Sequence, residues 1–577
     1  MTFPAADRLL RVDLSEERVR SERVPERWRR DYVGGKGLGA RYLYEELEAG
    51  TDPLAPDNVL LFMVGPLTGA LPGEQRYAAI TKSPLTGTFL DSYSGGEFPG
   101  ALRGSLGDHV GLLVRGRADR PVRIDLSDGD ASVEPADDWG ANAVEACRAF
   151  PDARVACIGP AGEHQVECAT IASDEADHHA GRGGAGAVMG SKRLKAVVAR
   201  DDPPDPPAEL AALAERDAAA FREGDTGRWL AASGTVETVD FADETGVLAA
   251  RGWQERGFDG AADIGVEAVR AAATGRERDG PDPGDFRVET GEGESVPRGA
   301  TAMTLGAGLG IESFDAVAEL GERCNRLGID LIDAGNAVAW AIRAAEAGIL
   351  DRDVTFGDPS GARGLLDEIA HRSTPLGDAL ADGIETAAGR FGGDDLIPTV
   401  KDMALPAYDP RGAASMALAY ATSDRGACHR RARPVEREAF DEPWDAETVA
   451  ARVIEAQDVR SIRWSLVADD FAGEGIADLG AAWLDAVSHP HGDLGRTGER
   501  IWNLVRLFNV REGFDRDDDA LPAALDPSDA LSDGHFEAML DAYYAARGWD
   551  ADGRPTRATL DRLDLLDVVD AATPLAD

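Results

Sequence analysis

One stretch, Asp201-Asp202-Pro203-Pro204-Asp205-Pro206-Pro207, constrains this chain most. Four prolines among acids fit neither a helix interior nor a central strand. The stretch divides the 577-residue chain into two unlike parts. Before it, short apolar runs alternate with glycine turns. Residues 9–14 alternate as a strand does, and 59–64 and 155–158 read as buried strands. Residues 110–114 and 122–126 read as a strand pair around an Arg/Asp/Pro turn. After the stretch the pattern becomes helical. Residues 209–222 are rich in Ala, Leu and Glu; Ser313 is placed to cap a helix closing near Gly328; 334–350 reads as a long helix. Residues 274–298 show no periodicity and read as loop. A second boundary falls near 395–405. The expected fold class is α+β: a β-rich N-terminal domain over 1–202, then two mainly helical domains over 208–400 and 401–577.

Composition narrows the function classes. Acids outnumber bases 105 to 60, for a net charge of −45, and only five of the bases are lysine. The acids are spread along the chain, which reads as a solvated surface suited to a high-salt cytoplasm. No basic stripe is present to release phosphate counterions, which argues against nucleic-acid binding. No apolar run approaches the roughly 18 residues of a membrane helix. Five scattered cysteines (Cys147, Cys157, Cys168, Cys324, Cys428) suggest a reducing compartment rather than a disulfide framework. The expected location is cytoplasmic.

Two motifs are decoys. Gly181-x-Gly183-x-x-Gly186 matches a dinucleotide pattern, but His178-His179-Ala180 precedes it and no strand run is visible there. The two histidines read as loop or surface residues. Gly190-Ser191-Lys192 reverses the order that a phosphate loop needs. The acidic run at 515–519 lacks the glycine and terminal glutamate of a calcium loop and reads as a solvated turn.

The remaining glycine motifs form an ordered set. They are Gly34-Gly35-Lys36-Gly37-Leu38-Gly39, Gly65-Pro66-Leu67-Thr68-Gly69, Arg76-Tyr77, Lys82-Ser83-Pro84-Leu85-Thr86-Gly87 and Gly181 to Lys192. Farther on come Cys324-Asn325-Arg326-Leu327-Gly328-Ile329-Asp330, Ala407-Tyr408-Asp409-Pro410-Arg411-Gly412 and Arg425-Gly426-Ala427-Cys428-His429. Together these resemble the aldehyde:ferredoxin oxidoreductase family of tungsten–pterin enzymes, over nearly the whole chain. The resemblance implies a cofactor-seating N-terminal domain and a tungsten (or molybdenum) bis-pterin. It places Lys36, Arg76, Gly95, Arg182, Gly183, Asn325, Gly328 and Asp330 at the cofactor, and His429 at the aldehyde as the catalytic residue. Glycine suits such a seat because bare backbone N–H groups approach and cradle anions.

The departures matter as much. The family holds a four-iron cluster on three clustered cysteines and one distant one. Here the corresponding loop reads Arg276-Glu277-Arg278-Asp279-Gly280-Pro281-Asp282-Pro283-Gly284-Asp285. Glu277, Gly280 and Gly284 stand where cysteines are expected, and Asp469 at the fourth position. Iron–sulfur clusters require thiolates, so the 4Fe-4S cluster is expected to be absent. Tyr93 replaces a small amide expected beside the cofactor phosphates, and the family's active-site glutamate stretch becomes Arg298-Gly299-Ala300-Thr301. Three readings stay open. One is an aldehyde-oxidising enzyme that passes electrons to an external carrier such as ferredoxin. The second is a non-catalytic paralogue serving as scaffold or partner of a complete homologue. The third is a pterin-free binding protein that uses the same cleft. The resemblance also allows a homodimer.

Overall fold

The computed structural model describes residues 6–522, 524, 525, 531 and 533–576. The expected α+β class holds: a β-rich N-terminal region is followed by a helical remainder. Packing groups the chain into two compact units. Unit 1 contains residues 1–228, 458–513 and 560–574; unit 2 contains 229–457, 514–559 and 575–577. The C-terminal third is therefore shared between the units, whereas the three expected domains follow chain order.

Unit 1 carries two six-stranded sheets. The first runs β2-β1-β6-β3-β4-β5, from Arg18–Arg23, Arg8–Asp13, His109–Arg115, Leu60–Met63, Tyr77–Lys82 and Phe89–Ser94. The second runs β11-β10-β9-β12-β7-β8, from His178–Ala180, Ile171–Ser173, Arg154–Cys157, Leu194–Ala199, Val122–Ser127 and Asp130–Pro135. The expected pairing of residues 110–114 with 122–126 is wrong. β6 pairs with β1 and β3, and β7 with β8 and β12, in the other sheet. Both strands are apolar enough to be central, and a local turn signal cannot name a partner. Leu10, Phe62, Tyr77 and Leu112 of the first sheet share one core with Ile124, Ala156 and Val197 of the second. Phe62 stacks on Tyr77 at 5.8 Å, and Tyr77 meets Phe98 edge-on at 5.1 Å. Each such side chain contributes about 1.5–3 kcal/mol by burial.

The glycine motif 34–39 has its explanation here. Helix α1 (Gly35–Glu46) begins against the end of a helix that arrives hundreds of residues later. A Cβ on Gly34 would lie 2.7 Å from the Ser465 carbonyl oxygen. One on Gly35 or Gly65 would collide with the Trp464 or Leu466 carbonyl. Ser465 Oγ accepts the Gly37 N–H at 3.1 Å. These glycines let two backbones touch.

Unit 2 is mainly helical. Helix α5 (Phe314–Leu327) follows α2 (Phe98–Ser105), α3 (Ala185–Ser191) and α4 (Ala208–Glu223) of unit 1. It starts and stops as its sequence directs: Ser313 Oγ accepts the Ala316 N–H, and Gly328 closes it at φ 68°. Helix α6 (Leu331–Glu346) is capped by Asp330. The stretch 274–298 is not all loop. It forms a small antiparallel sheet, β13 (Ala273–Arg276), β14 (Phe286–Thr290) and β15 (Gly293–Ser295). Only β14 has buried apolar residues, Phe286 and Val288, so the strands leave little period-2 signal. The acidic turn at 515–519 opens with one 3-10 turn, Arg516–Asp518. Part of the polar connection after it lies outside the described residues.

Candidate functional site

In unit 1 the structure gathers four of the expected cofactor residues. Arg76 immediately precedes β4 and Gly95 follows β5, so the ends of neighbouring strands present both. The Gly181–Gly184 turn is tied to the same strands. Ser92 Oγ donates to the Gly181 carbonyl, and Ser83 Oγ donates to the Gly183 carbonyl at 2.7 Å. Arg182, Gly183 and Gly184 are consecutively left-handed, with φ 67°, 74° and 83°. Arg182 pays a conformational cost there that the glycines do not.

Acids of this chain line the same turn. Glu74 Oε2 pairs with Arg76 Nη2 at 2.9 Å, and Glu74 Oε1 lies 3.5 Å from His178 Nδ1. A Cβ on Gly95 would strike the Glu74 carboxylate; one on Gly96 would strike the Asp174 carboxylate. Asp174 accepts the Glu97 N–H at 3.0 Å, and burial raises its pKa to about 6 against the opposing pull of His178. His178 and His179 are not loop residues. They form β11 and point to opposite faces, His178 toward Glu74 and His179 toward Thr170 and the Ala176 carbonyl. The Gly181 motif thus does follow a strand, contrary to the sequence expectation. β11 is a three-residue edge strand pairing antiparallel with β10, not the parallel unit that dinucleotide binding requires.

Lys36 has a different setting. Its side chain is fully buried, its ammonium 3.2 Å from Asp91 Oδ2 and 5.1–5.8 Å from the rings of Phe89, Trp464 and Trp502. The Tyr93 hydroxyl donates to the same Asp91 oxygen at 2.7 Å, and its ring lies 5.0 Å from Trp464. The phenol that replaces the expected amide is packed inside unit 1.

In unit 2, Asn325, Gly328 and Asp330 build the corner between α5 and α6. The Asn325 carbonyl accepts the Gly328 N–H at 3.1 Å. Asp330 Oδ1 accepts the N–H groups of Ile332 at 3.1 Å and Asp333 at 2.9 Å. The sequence reading placed these residues at the cofactor; the contacts seen serve the helix ends.

His429 lies in unit 2 beside Tyr408, a member of the Ala407–Gly412 motif to which the sequence assigned no individual role. Their rings meet edge-on at 5.8 Å. The loop Tyr408 belongs to is closed on itself, with Arg411 Nη2 2.5 Å from Asp409 Oδ2 and the Tyr420 hydroxyl donating to the Tyr408 carbonyl at 3.0 Å. Burial raises the Tyr408 phenol to about 12 despite Arg433. It remains a proton-bearing hydrogen-bond donor at neutral pH. Ala407, which precedes Tyr408 in the chain, lines a small, mostly apolar cavity of unit 2 together with Ala249, Trp253, Met303, Thr304 and Asn336. The signal that could have found Tyr408 was its place in the Ala407–Gly412 motif.

The positions expected for cluster cysteines are engaged otherwise. Glu277 Oε1 accepts from Arg298 Nη2 at 3.1 Å, and Arg298 Nε is 3.9 Å from Asp285 Oδ2. Gly280 and Gly284 offer no side chain, and a Cβ on Gly284 would lie 2.9 Å from Glu277 Cβ. In unit 1, Asp469 Oδ2 is 3.1 Å from Arg76 Nη2. The five cysteines are thiols, all buried.

Residues 9–201 match the model of the aldehyde ferredoxin oxidoreductase N-terminal domain, and residues 212–565 match that of its domains 2 and 3. The chain belongs to the aldehyde ferredoxin oxidoreductase family. Among relatives of this family member, the tungsten-containing aldehyde ferredoxin oxidoreductase of Pyrococcus abyssi is 32% identical, covering 97% of this chain and 98% of that protein. The corresponding protein of Pyrococcus furiosus is also 32% identical over the same shares. The aliphatic sulfonate oxidoreductase WOR-like subunit of Pyrococcus furiosus is 26% identical, covering 97% and 96%. The active-site complex BamBC of benzoyl coenzyme A reductase shares the fold, with TM-score 0.84 at 23% identity over 98% of each chain. Among the described residues, no helix is long and apolar enough to cross a membrane.

Proposed function

We propose that this chain oxidises a small aldehyde to a carboxylic acid at a tungsten (or molybdenum) bis-pterin, without an iron–sulfur cluster of its own. The observation that carries this reading is the assembly of Arg76, Gly95, Arg182 and Gly183 on adjoining strands and turns of unit 1. Two guanidinium groups and a run of left-handed backbone suit a phosphate-bearing cofactor. The bound metal–pterin would accept two electrons as aldehyde and water become acid and two protons. In unit 2, Tyr408 keeps its proton at neutral pH and can donate to the aldehyde oxygen, while His429 beside it orients that oxygen.

The residues at the expected cluster positions do not fit an iron–sulfur cluster. Two are glycines, and the two carboxylates are held by arginines. Electrons would pass directly to an external carrier such as ferredoxin, or to a complete homologue. The buried thiols agree with a reducing, cytoplasmic setting. A second reading, a cofactor-binding or scaffold paralogue without catalysis, is favoured by Arg298, which stands near the expected active-site glutamate and reaches Glu277. Metal and pterin analysis decides. The protein would be purified at high salt from cells supplied with tungstate and molybdate, then assayed with aldehydes and a viologen dye. About one tungsten or molybdenum per chain, little iron and dye reduction are expected. Metal and pterin without turnover would favour the scaffold, and neither metal nor pterin would end the cofactor reading. About four irons per chain would overturn the cluster-free reading.

A further inference from the structure

Asp469 stands where the family's fourth cluster cysteine is expected, yet its contacts are those of a clamp. Its two oxygens divide the work. Oδ1 accepts the N–H groups of Phe471 at 2.9 Å and Ala472 at 2.8 Å, closing the turn that starts the 3-10 segment Ala472–Gly475. Oδ2 faces Arg76, at 3.3 Å from Nε and 3.1 Å from Nη2. A thiolate could not do both, because it lacks two separate acceptor atoms. The neighbouring acid is engaged elsewhere: Asp470 Oδ1 accepts from Arg460 Nη1 at 2.6 Å.

The opposing loop is pressed onto this turn. Gly73 is left-handed at φ 83°, and a Cβ there would lie 2.8 Å from Asp469 Cβ and 2.6 Å from Ala472 Cβ. Three residues later Arg76 is mostly buried, its side chain 14% exposed and that of Asp469 10%. Burial opposes the guanidinium charge, but Glu74, Asp469 and Asp470 outweigh it and hold the group cationic. Glu74, the other acid on Arg76, lies against Gly95. The Asp469 carboxylate therefore fixes the side chain that immediately precedes β4 in the proposed cofactor seat.

We infer that Asp469 is a positioning residue: its carboxylate holds Arg76 and the Gly73–Arg76 loop in the conformation that receives the cofactor's anionic group. In this chain an ion pair between segments 393 residues apart preorganises the seat. The inference rests on the reading of Arg76 as a cofactor ligand.

The test separates the clamp from the cap. Asp469→Asn keeps an oxygen for Phe471 and Ala472 but turns an amide N–H₂ toward Arg76. Asp469→Glu restores the charge. In the full chain at high salt, Asp469→Asn is expected to retain no more than about a tenth of the wild-type pterin and tungsten, and Asp469→Glu most of it. Hydrogen exchange of the 73–77 amides should quicken about tenfold or more in Asp469→Asn, with those of 471 and 472 unchanged. Full pterin retention with unchanged exchange at 73–77 would overturn the inference. So would equal loosening of 471–472 together with a loss that Asp469→Glu does not restore, since that marks a cap alone. A wild-type protein without pterin refutes the proposed function, not the clamp; exchange at 73–77 in that protein still decides whether Asp469 holds the loop.

Discussion

Asp469 in unit 1 and Glu277 in unit 2 occupy comparable places in the sequence argument, and the fold treats them differently. Both are acids at positions expected to carry cluster cysteines, and both face an arginine. Glu277, itself 8% exposed, takes its arginine from 21 residues away, and that arginine, Arg298, is 32% exposed. Asp469 takes Arg76 from 393 residues away, with both side chains largely buried. The first pair joins near neighbours in the chain and leaves its arginine partly open to solvent. The second ties the end of a C-terminal helical segment to the first sheet. An ion pair is consequential when it is enclosed and joins distant chain, because removing one partner strands the other away from water.

The comparison can be broken in several ways. The largest effect is expected beside Tyr408: His429→Ala should lower kcat by about 10²–10⁴-fold in a dye-linked aldehyde assay, while Glu277→Gln leaves kcat nearly unchanged. Loss of activity on Glu277→Gln equal to that of His429→Ala would make the loop part of the chemistry. Next, Arg76→Met should cost about 3–5 kcal/mol in urea unfolding at constant high salt, because Glu74 and Asp469 remain buried without their cation. A third probe is pH. Burial raises Asp174 from 3.8 to about 6, so the native state holds a proton there that the unfolded chain releases. Its contribution is present in full below about pH 4 and falls as pH rises to about 6, by about one proton of slope. Asp174→Asn should remove that slope; an unchanged pH–stability curve would refute it. The smallest effect is that of Glu277→Gln on stability, about 1–3 kcal/mol, because the amide keeps an oxygen for the partly exposed Arg298 but gives up the charge.

Local signals were readable before the structure was known. Ser313 and Gly328 mark both ends of α5 because capping is settled within a few residues. The sequence pattern points Asp330 to the cofactor, and in the structure the side chain N-caps α6; one aspartate satisfies both patterns. Tyr408 went unnoticed as a partner of His429 because nothing local records that the two rings meet. The strand at His178 was missed for the opposite reason: three residues are too few for a period.

By itself the sequence determined the β-rich start, the helical remainder, the helix caps and the absence of cysteine from the cluster loop. Those depend on residue type and on neighbours a few positions away. Tertiary structure alone decided that β6 and β7 part into different sheets and that Gly34, Gly35 and Gly65 make room for the 464–466 backbone. It also decided that Asp469 holds Arg76. Each of these is a contact between segments far apart in the chain, where the residue's identity permits the contact but only packing selects the partner.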